Sequence, residues 1–346
     1  MKPSNVARVL TVAIRNRHSM MLTGAPGVGK TDLVKQAAKE AEATLIISHP
    51  VVSDPTDYKG IPWVTTEDGR AVAKFLPFSN LRRLVEAEGP TLFLLDDLGQ
   101  APQTVQAAAM QLLLARAIDE VKVSDQVTFF ACTNRREDKS GVQGILETVK
   151  SRMISILEIE VDVEDWVKWG IEHGVPFGVI SFVRWRPNQL HSFKPTRDMT
   201  NSPCPRTVYH ACKIMQAGYP RELEMEMIRG ACGEAWATEW EGFRKYEEQI
   251  PNVNKILTDP NRGEIPSEAH LTYALCGALA ERVTEQNFEN IIIYSSRLGE
   301  KSPDGKIKAR PEFGIMLIKD CLLKDNKLRK NKAYVKWQIA HMNVIL

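Results

Sequence analysis

The run Gly24-Ala25-Pro26-Gly27-Val28-Gly29-Lys30-Thr31 satisfies the pattern GxxxxGK[ST] at every specified position. A short apolar run, Ser19-Met20-Met21-Leu22-Thr23, stands before it, and residues 31–41 are helix formers. Strand, glycine loop and helix form the context in which this pattern cradles phosphate. Glycines allow backbone N–H groups to turn inward around a β-phosphate. A helix opening near Lys30 aims its positive end at the anion. Lys30 is placed to neutralise phosphate oxygens, and the Thr31 hydroxyl to ligate Mg²⁺. Residues Gly24, Ala25, Pro26, Gly27, Val28, Gly29, Lys30 and Thr31 are therefore the expected phosphate-binding loop.

Such a loop needs a metal-holding carboxylate at the end of a neighbouring strand. Leu92-Phe93-Leu94-Leu95-Asp96-Asp97 supplies four apolar residues and then two acids. Asp96 is expected to hold the metal, and Asp97 to polarise an attacking water as a general base. Val127-Thr128-Phe129-Phe130-Ala131-Cys132 reads as another buried strand, ending in Cys132-Thr133-Asn134. An amide there can orient water or touch a terminal phosphate; a plain turn residue is the other reading. Arg152 follows a helix-like stretch, 144–150, and Arg206 opens a helix after Ser202-Pro203-Cys204-Pro205.

Further strands are expected at Thr44–Ser48, Thr91–Leu95 and Ile154–Ile159. The nearly continuous apolar character of Thr91–Leu95 suits a parallel sheet covered on both faces. A hairpin is expected from Ile61–Val64 and Ala71–Phe75, joined around Asp68-Gly69. Helices are expected at 4–17, capped by Ser4, and at 79–88 and 103–116. After residue 162 helical patterns dominate, at 163–173, 176–185, 205–217, 221–248, 268–281, 284–297, 312–323 and 332–343. Gly174 and Gly218 stand where helix caps belong, and 187–204 and 250–267 read as loops. This divides the chain into an α/β nucleotide-binding domain (1–162), a helical lid (163–250) and a C-terminal helical extension (251–346).

At 346 residues the chain suits about two domains. With 43% hydrophobic and 25% charged residues it has globular composition. Lys+Arg total 45 against Asp+Glu 43, a net +2 that excludes a histone-like or acidic-tail protein. No apolar run reaches the ~18 residues of a membrane helix. The N-terminal apolar residues (Val6, Val9, Leu10, Ala13, Ile14) have helical spacing broken by Arg8 and Arg15, unlike a secretory signal. Six cysteines include no CxxC pair and read as reduced, buried thiols of a cytoplasmic protein. The spacing of Cys204, His210 and Cys212 fits no common zinc pattern.

Taken together, these stretches resemble the AAA+ ATPase superfamily, and more narrowly its MoxR-like branch. The resemblance rests on residues 24–31, 92–97, Leu98-Gly99-Gln100-Ala101-Pro102, Cys132-Thr133-Asn134-Arg135, Lys150-Ser151-Arg152-Met153 and Pro205-Arg206-Thr207. It covers residues 1 to about 250. It implies a P-loop parallel sheet flanked by helices, followed by an all-α lid, and ATP with Mg²⁺ as cofactors. It makes residues 24–31 Walker A and Asp96-Asp97 the Walker B acids, Asn134 the first sensor, Arg152 an arginine finger and Arg206 the second sensor. Arg135 and Arg136 are rival fingers. A finger acting on a neighbour implies a homo-oligomeric ring, a hexamer in this family, that remodels a partner protein. A von Willebrand factor A domain protein is the partner type the branch implies. The family's usual catalytic acid is Glu, and here it is Asp97.

Two other readings stay open: a nucleic-acid motor or clamp, and a slowly hydrolysing assembly scaffold. The near-neutral charge and lack of a DNA-binding module weigh against the first. Trp63 and Phe75 on the hairpin either grip a polypeptide or pack into the core. Trp166, Trp169, Phe177, Phe182 and Trp185 read as lid core, and the run Lys319, Lys324, Lys327, Arg329, Lys330, Lys332, interrupted by Asp320 and Asp325, as a solvated face.

Overall fold

The computed structural model describes residues 1–138, 141, 144–196, 198–300 and 308–340. Contacts divide the chain into two compact units, Met1–Asp162 with Phe193–Arg197, and Val163–Ser192 with Asp198–Leu346.

The first unit is built on five parallel strands: β1 (Met20–Gly24), β2 (Thr44–Ser48), β5 (Thr91–Leu95), β8 (Val127–Asn134) and β9 (Ser155–Glu158). Their order is β2-β5-β8-β1-β9. The hairpin strands β3 (Ile61–Glu67) and β4 (Arg70–Leu76) pair antiparallel, and β6 (Ala117–Ile118) with β7 (Val121–Lys122) forms a small second ribbon that the pattern did not signal. The helices are α1 (Pro3–Arg15), α2 (Lys30–Glu40), α3 (Thr56–Lys59), α4 (Ser79–Val85), α5 (Gln103–Ala115) and α6 (Glu147–Lys150).

Alternation along the strands divides the core into two layers. Met20, Leu22, Leu92, Leu94, Phe130 and Cys132 face α1 and α2, packing with Val6, Leu10, Val34 and Ala37. Met21, Ile46, Phe93, Leu95, Phe129 and Ala131 face the other way, onto Leu81, Leu84, Val105, Ala109 and Leu112. All five residues of β5 are buried, as a strand covered on both faces requires. The result is a parallel sheet between two helical layers, the expected α/β class. Ser4 does not cap α1: Lys2 takes the cap position and Pro3 the first helical one, where its missing N–H costs nothing.

The second unit is all-helical: α7 (Val163–Glu172), α8 (Phe177–Trp185), α9 (Pro205–Gln216), α10 (Arg221–Cys232), α11 (Glu234–Glu247), α12 (Val253–Thr258), α13 (Ala269–Glu281), α14 (Phe288–Leu298), α15 (Pro311–Lys324) and α16 (Lys332–Ala340). Gly174 and Gly218 take φ +72° and +76° beyond their helices, as expected of caps. The single helix expected over 221–248 is two, broken at Gly233 with φ +89°. The segment read as a loop at 250–267 holds α12, whose start is capped by the Asn252 carboxamide accepting from Lys255 N at 3.1 Å. Residues 341–343 of the last expected helix lie outside the described residues. Phe182 packs edge-on against Trp236 and Trp240, at 5.4 and 5.5 Å between centroids, and Trp166 and Phe177 are buried too. Asp320 departs from the solvated face assigned to it. It is 1% exposed and binds Arg184 through both oxygens, because it stands on the inner side of α15. Among the described residues no helix is long and apolar enough to cross a membrane.

Candidate nucleotide site

Parallel strands present their carboxyl ends together, and the crevice outside them is where such sheets bind ligands. Here four strands end side by side with Ser48, Asp96, Asn134 and Gly24. Gly24 is level with Asn134 in the β1–β8 pairing, so the phosphate loop begins beside the amide.

Within the loop, Gly29 takes φ +94° immediately before α2, a conformation only glycine adopts without strain. Gly24 has another constraint: a Cβ there would lie 3.1 Å from the carbonyl oxygen of Ile159, just past the adjoining strand. Lys30, the first residue of α2, is buried. Lys30 Nζ donates to the carbonyls of Gly24 (2.9 Å) and Ala25 (3.0 Å) and to Asn134 Oδ1 (2.6 Å). One ammonium thus ties the loop to the end of β8.

Thr31 Oγ1 is 2.9 and 3.1 Å from the two carboxylate oxygens of Asp96. Asp96 is itself buried, its backbone N–H donating to Ser48 O at 2.9 Å across the sheet. A hydroxyl and one carboxylate are hard oxygen donors. They suit an ion that keeps waters and takes its other ligands from phosphates, as Mg²⁺ does. Among the described residues no three His, Cys, Asp or Glu side chains gather into an all-protein metal cage. Asp97 is half-buried with φ +56°, directly after the strand. Asp and Asn enter this left-handed region far more readily than longer side chains do. Cys132 lies fully buried beneath the site, and burial pushes its thiol far above the ordinary cysteine range, leaving an inert packing group.

The structure thus brings Lys30 to Asn134 and Thr31 to Asp96, two hydrogen-bonded pairs built on consecutive residues. Arg152 stands apart from them, just beyond α6. Its Nη1 donates to Ser151 Oγ at 2.8 Å, and its Nε is buried without a hydrogen-bond partner. Arg135 differs sharply. Its guanidinium grips Asp138 through two bonds (2.9 and 3.0 Å) and reaches Glu137 at 3.1 Å and Glu158 at 3.2 Å. Arg206 belongs to the helical unit, exposed at the second position of α9. The Arg135 carboxylate cluster was not anticipated. Its sequence trace is the acid three residues on, Asp138, an unremarkable spacing outside a regular helix.

Residues 20–161 match the family described as ATPase family associated with various cellular activities (AAA). Over these residues the α/β unit is similar to an AAA ATPase domain. Over 138 residues the chain is 32% identical to the ATPase family gene 2 protein homolog B of Homo sapiens, an alignment covering 38% of this chain. The chain spans only 17% of that relative's length. Among solved structures, the RuvB Holliday junction branch migration motor of Thermotoga maritima is 15% identical with a TM-score of 0.39, over 90% of this chain and 94% of that one. NtrX from Brucella abortus is also 15% identical, with a TM-score of 0.35 over 65% of this chain and 49% of that one. Likenesses of that depth assign no function. In the α/β unit the hairpin carries no core: Trp63 is 62% and Phe75 40% exposed.

Proposed function

We propose that this protein is a ring-forming, Mg²⁺-dependent ATPase of the MoxR-like type, which converts ATP binding and hydrolysis into remodelling of a partner protein. The observation that carries the reading is the Lys30–Asn134 and Thr31–Asp96 pair of contacts at the carboxyl edge of the sheet. Lys30 and the loop amides bind phosphate, Thr31 and Asp96 would hold Mg²⁺, and Asp97 takes the proton of the attacking water. Bound Mg²⁺ supplies charge neutralisation on the phosphates. Asn134 positions the water or the terminal phosphate.

Arg152 acts as the finger. Arg135 is neutralised by three carboxylates, whereas no carboxylate among the described residues pairs with Arg152. A cation that stabilises transition-state charge must be available to it. A finger supplied by a neighbour makes each site incomplete in a single chain, which is the reason for a ring. The helical unit serves as a lid, with Arg206 coupling it to nucleotide. Residues 251–346 extend it. The exposed Trp63 and Phe75 suit contact with a polypeptide, and a von Willebrand factor A domain protein is the partner class we favour.

The test is molar mass by light scattering with and without Mg-ATP, together with phosphate release across a concentration series. Assembly near six subunits with specific activity rising as rings form supports the reading. Hydrolysis at a concentration-independent rate by a monomer overturns it. Stimulation by DNA rather than by protein would move the assignment to a nucleic-acid motor, with a steep salt dependence as its mark.

A further inference from the structure

The carboxylate cluster around Arg135 has a definite place in the sheet. Arg135 follows directly on Asn134 at the end of β8. Asp138 holds two of its guanidinium nitrogens at 2.9 and 3.0 Å and is itself 5% exposed. A forked guanidinium bound in this way has a fixed orientation. Its remaining terminal nitrogen reaches Glu158 at 3.2 Å. Glu158 is on β9, level with Thr23 of β1. Because β1 lies between β8 and β9, the ion pair joins the two strands flanking the one that opens into the phosphate loop. Neighbouring strands are ~4.8 Å apart, so the brace covers ~10 Å of the sheet edge. It is closed on both sides by backbone bonds, Ile159 N to Thr23 O (2.8 Å) and Asp138 N to Arg135 O (3.3 Å).

We infer that Arg135 is a positioning residue acting within its own subunit: clamped by Asp138, it ties the strand end that carries Asn134 to Glu158 on β9, and so holds the Asn134 amide in register with Lys30 and the phosphate loop. The inference rests on the nucleotide-site reading above. It removes Arg135 from the candidates for a finger, since a guanidinium committed to three carboxylates has no charge to offer a neighbour. Asn134 links Lys30 to β8, and its side chain is short, with two rotatable bonds between backbone and amide. Its placement is therefore set by the backbone at 134 and 135. Freeing Arg135 releases that backbone on one side.

The consequence concerns the terminal phosphate. Lys30 and Asn134 meet the group that ATP has and ADP lacks. Loss of the brace should therefore weaken ATP more than ADP and slow hydrolysis, whereas simple loss of stability would weaken both nucleotides alike. The experiment compares wild type with Asp138→Asn and Glu158→Gln. Glu158→Gln keeps shape at a half-exposed position and guards against misfolding of the first variant. Dissociation constants for ATP and ADP, kcat and KM are measured on each, with thermal midpoints as control. The expected result is a kcat lowered by ~10- to ~100-fold, with a smaller change in KM and a reduced ATP-over-ADP preference, in both variants. An unchanged preference, or a kcat loss that only follows the thermal midpoint, overturns the positioning role and leaves the nucleotide site standing. Failure of the wild type to bind ATP overturns both.

Discussion

Lys30 Nζ and Asn134 Oδ1, 104 residues apart in sequence, are 2.6 Å apart in the fold. The contact exists because β1 and β8 are adjacent and parallel, with Gly24 level with Asn134. Lys30 also binds the Gly24 and Ala25 carbonyls, so it is both the loop's charge and its internal strut. Lys30→Ala should therefore do two kinds of damage. Each charge-assisted bond to phosphate is worth ~1.5–3 kcal/mol, so nucleotide affinity should fall at least ~10-fold. The loop should also loosen, which hydrogen exchange at residues 24–29 would report. Titration with a fluorescent ATP analogue measures the first effect; unchanged affinity would remove Lys30 from the phosphate site.

Arg152 should behave in the opposite manner. It touches none of the Lys30 cluster, so Arg152→Ala should leave ATP affinity within about twofold while kcat drops by ~10³-fold or more if it is the finger. Mixing Arg152→Ala chains with Asp97→Asn chains gives a sharper readout. The first has an intact site and the second an intact arginine, so activity should return on mixing. Absence of recovery would mean that Arg152 serves its own subunit or none.

The sheet and its ligand edge were legible because their signals are local. A phosphate loop declares itself in eight consecutive residues, and β5 in four apolar residues followed by two acids. Helix boundaries failed where one residue overrides a periodic pattern. Gly233 splits 221–248 without interrupting its apolar spacing, and Pro3 displaces Ser4 from the cap. The ionic contacts were illegible for a different reason. Arg184 and Asp320 are 136 residues apart, and Arg135 meets Glu158 across an intervening strand. Charge patterning along the chain could only place Asp320 on a wet face, since nothing local says that α15 turns that side inward. The hairpin turn at Asp68-Gly69 was readable, because both residues take φ > 0 as such a turn demands. The exposure of Trp63 was not, because an aromatic in a strand suits core and surface alike.

The Arg184–Asp320 pair makes a stability prediction for the helical unit. Burial opposes the Arg184 charge, but Asp320 and Glu164 more than offset it and hold the guanidinium above its ordinary pKa. The pair joins α8 to α15, with Glu164 of α7 adding a second carboxylate at 2.9 Å. Removing one partner leaves a charge buried without full compensation. Asp320→Ala should therefore cost ~3–5 kcal/mol, read as a lower denaturant midpoint. Replacing both, as Arg184→Met with Asp320→Leu, should recover most of that loss. A double variant as unstable as the single one would show that packing around Asp320, and not charge, sets the cost.

Asp97 is the position where the resemblance and this chain differ, and its backbone suggests why. At φ +56° a non-glycine residue is under strain, and Asp carries it more easily than Glu. The shorter acid thus suits the turn that leads from β5 into Leu98–Gln100, at the expense of one methylene of reach toward water. Asp97→Glu tests the balance. The longer side chain should raise kcat if reach limits turnover, while the strained backbone should lower the thermal midpoint by the equivalent of ~1 kcal/mol. Asp97→Asn keeps the turn and removes the base, so it should lower kcat by ~10²–10⁴-fold with ATP affinity intact. If Asp97→Asn hydrolyses ATP as fast as the wild type, Asp97 is not the base. The protein would then be better described as a scaffold that assembles on ATP, and ring formation should survive in the variant while phosphate release stays at its basal level.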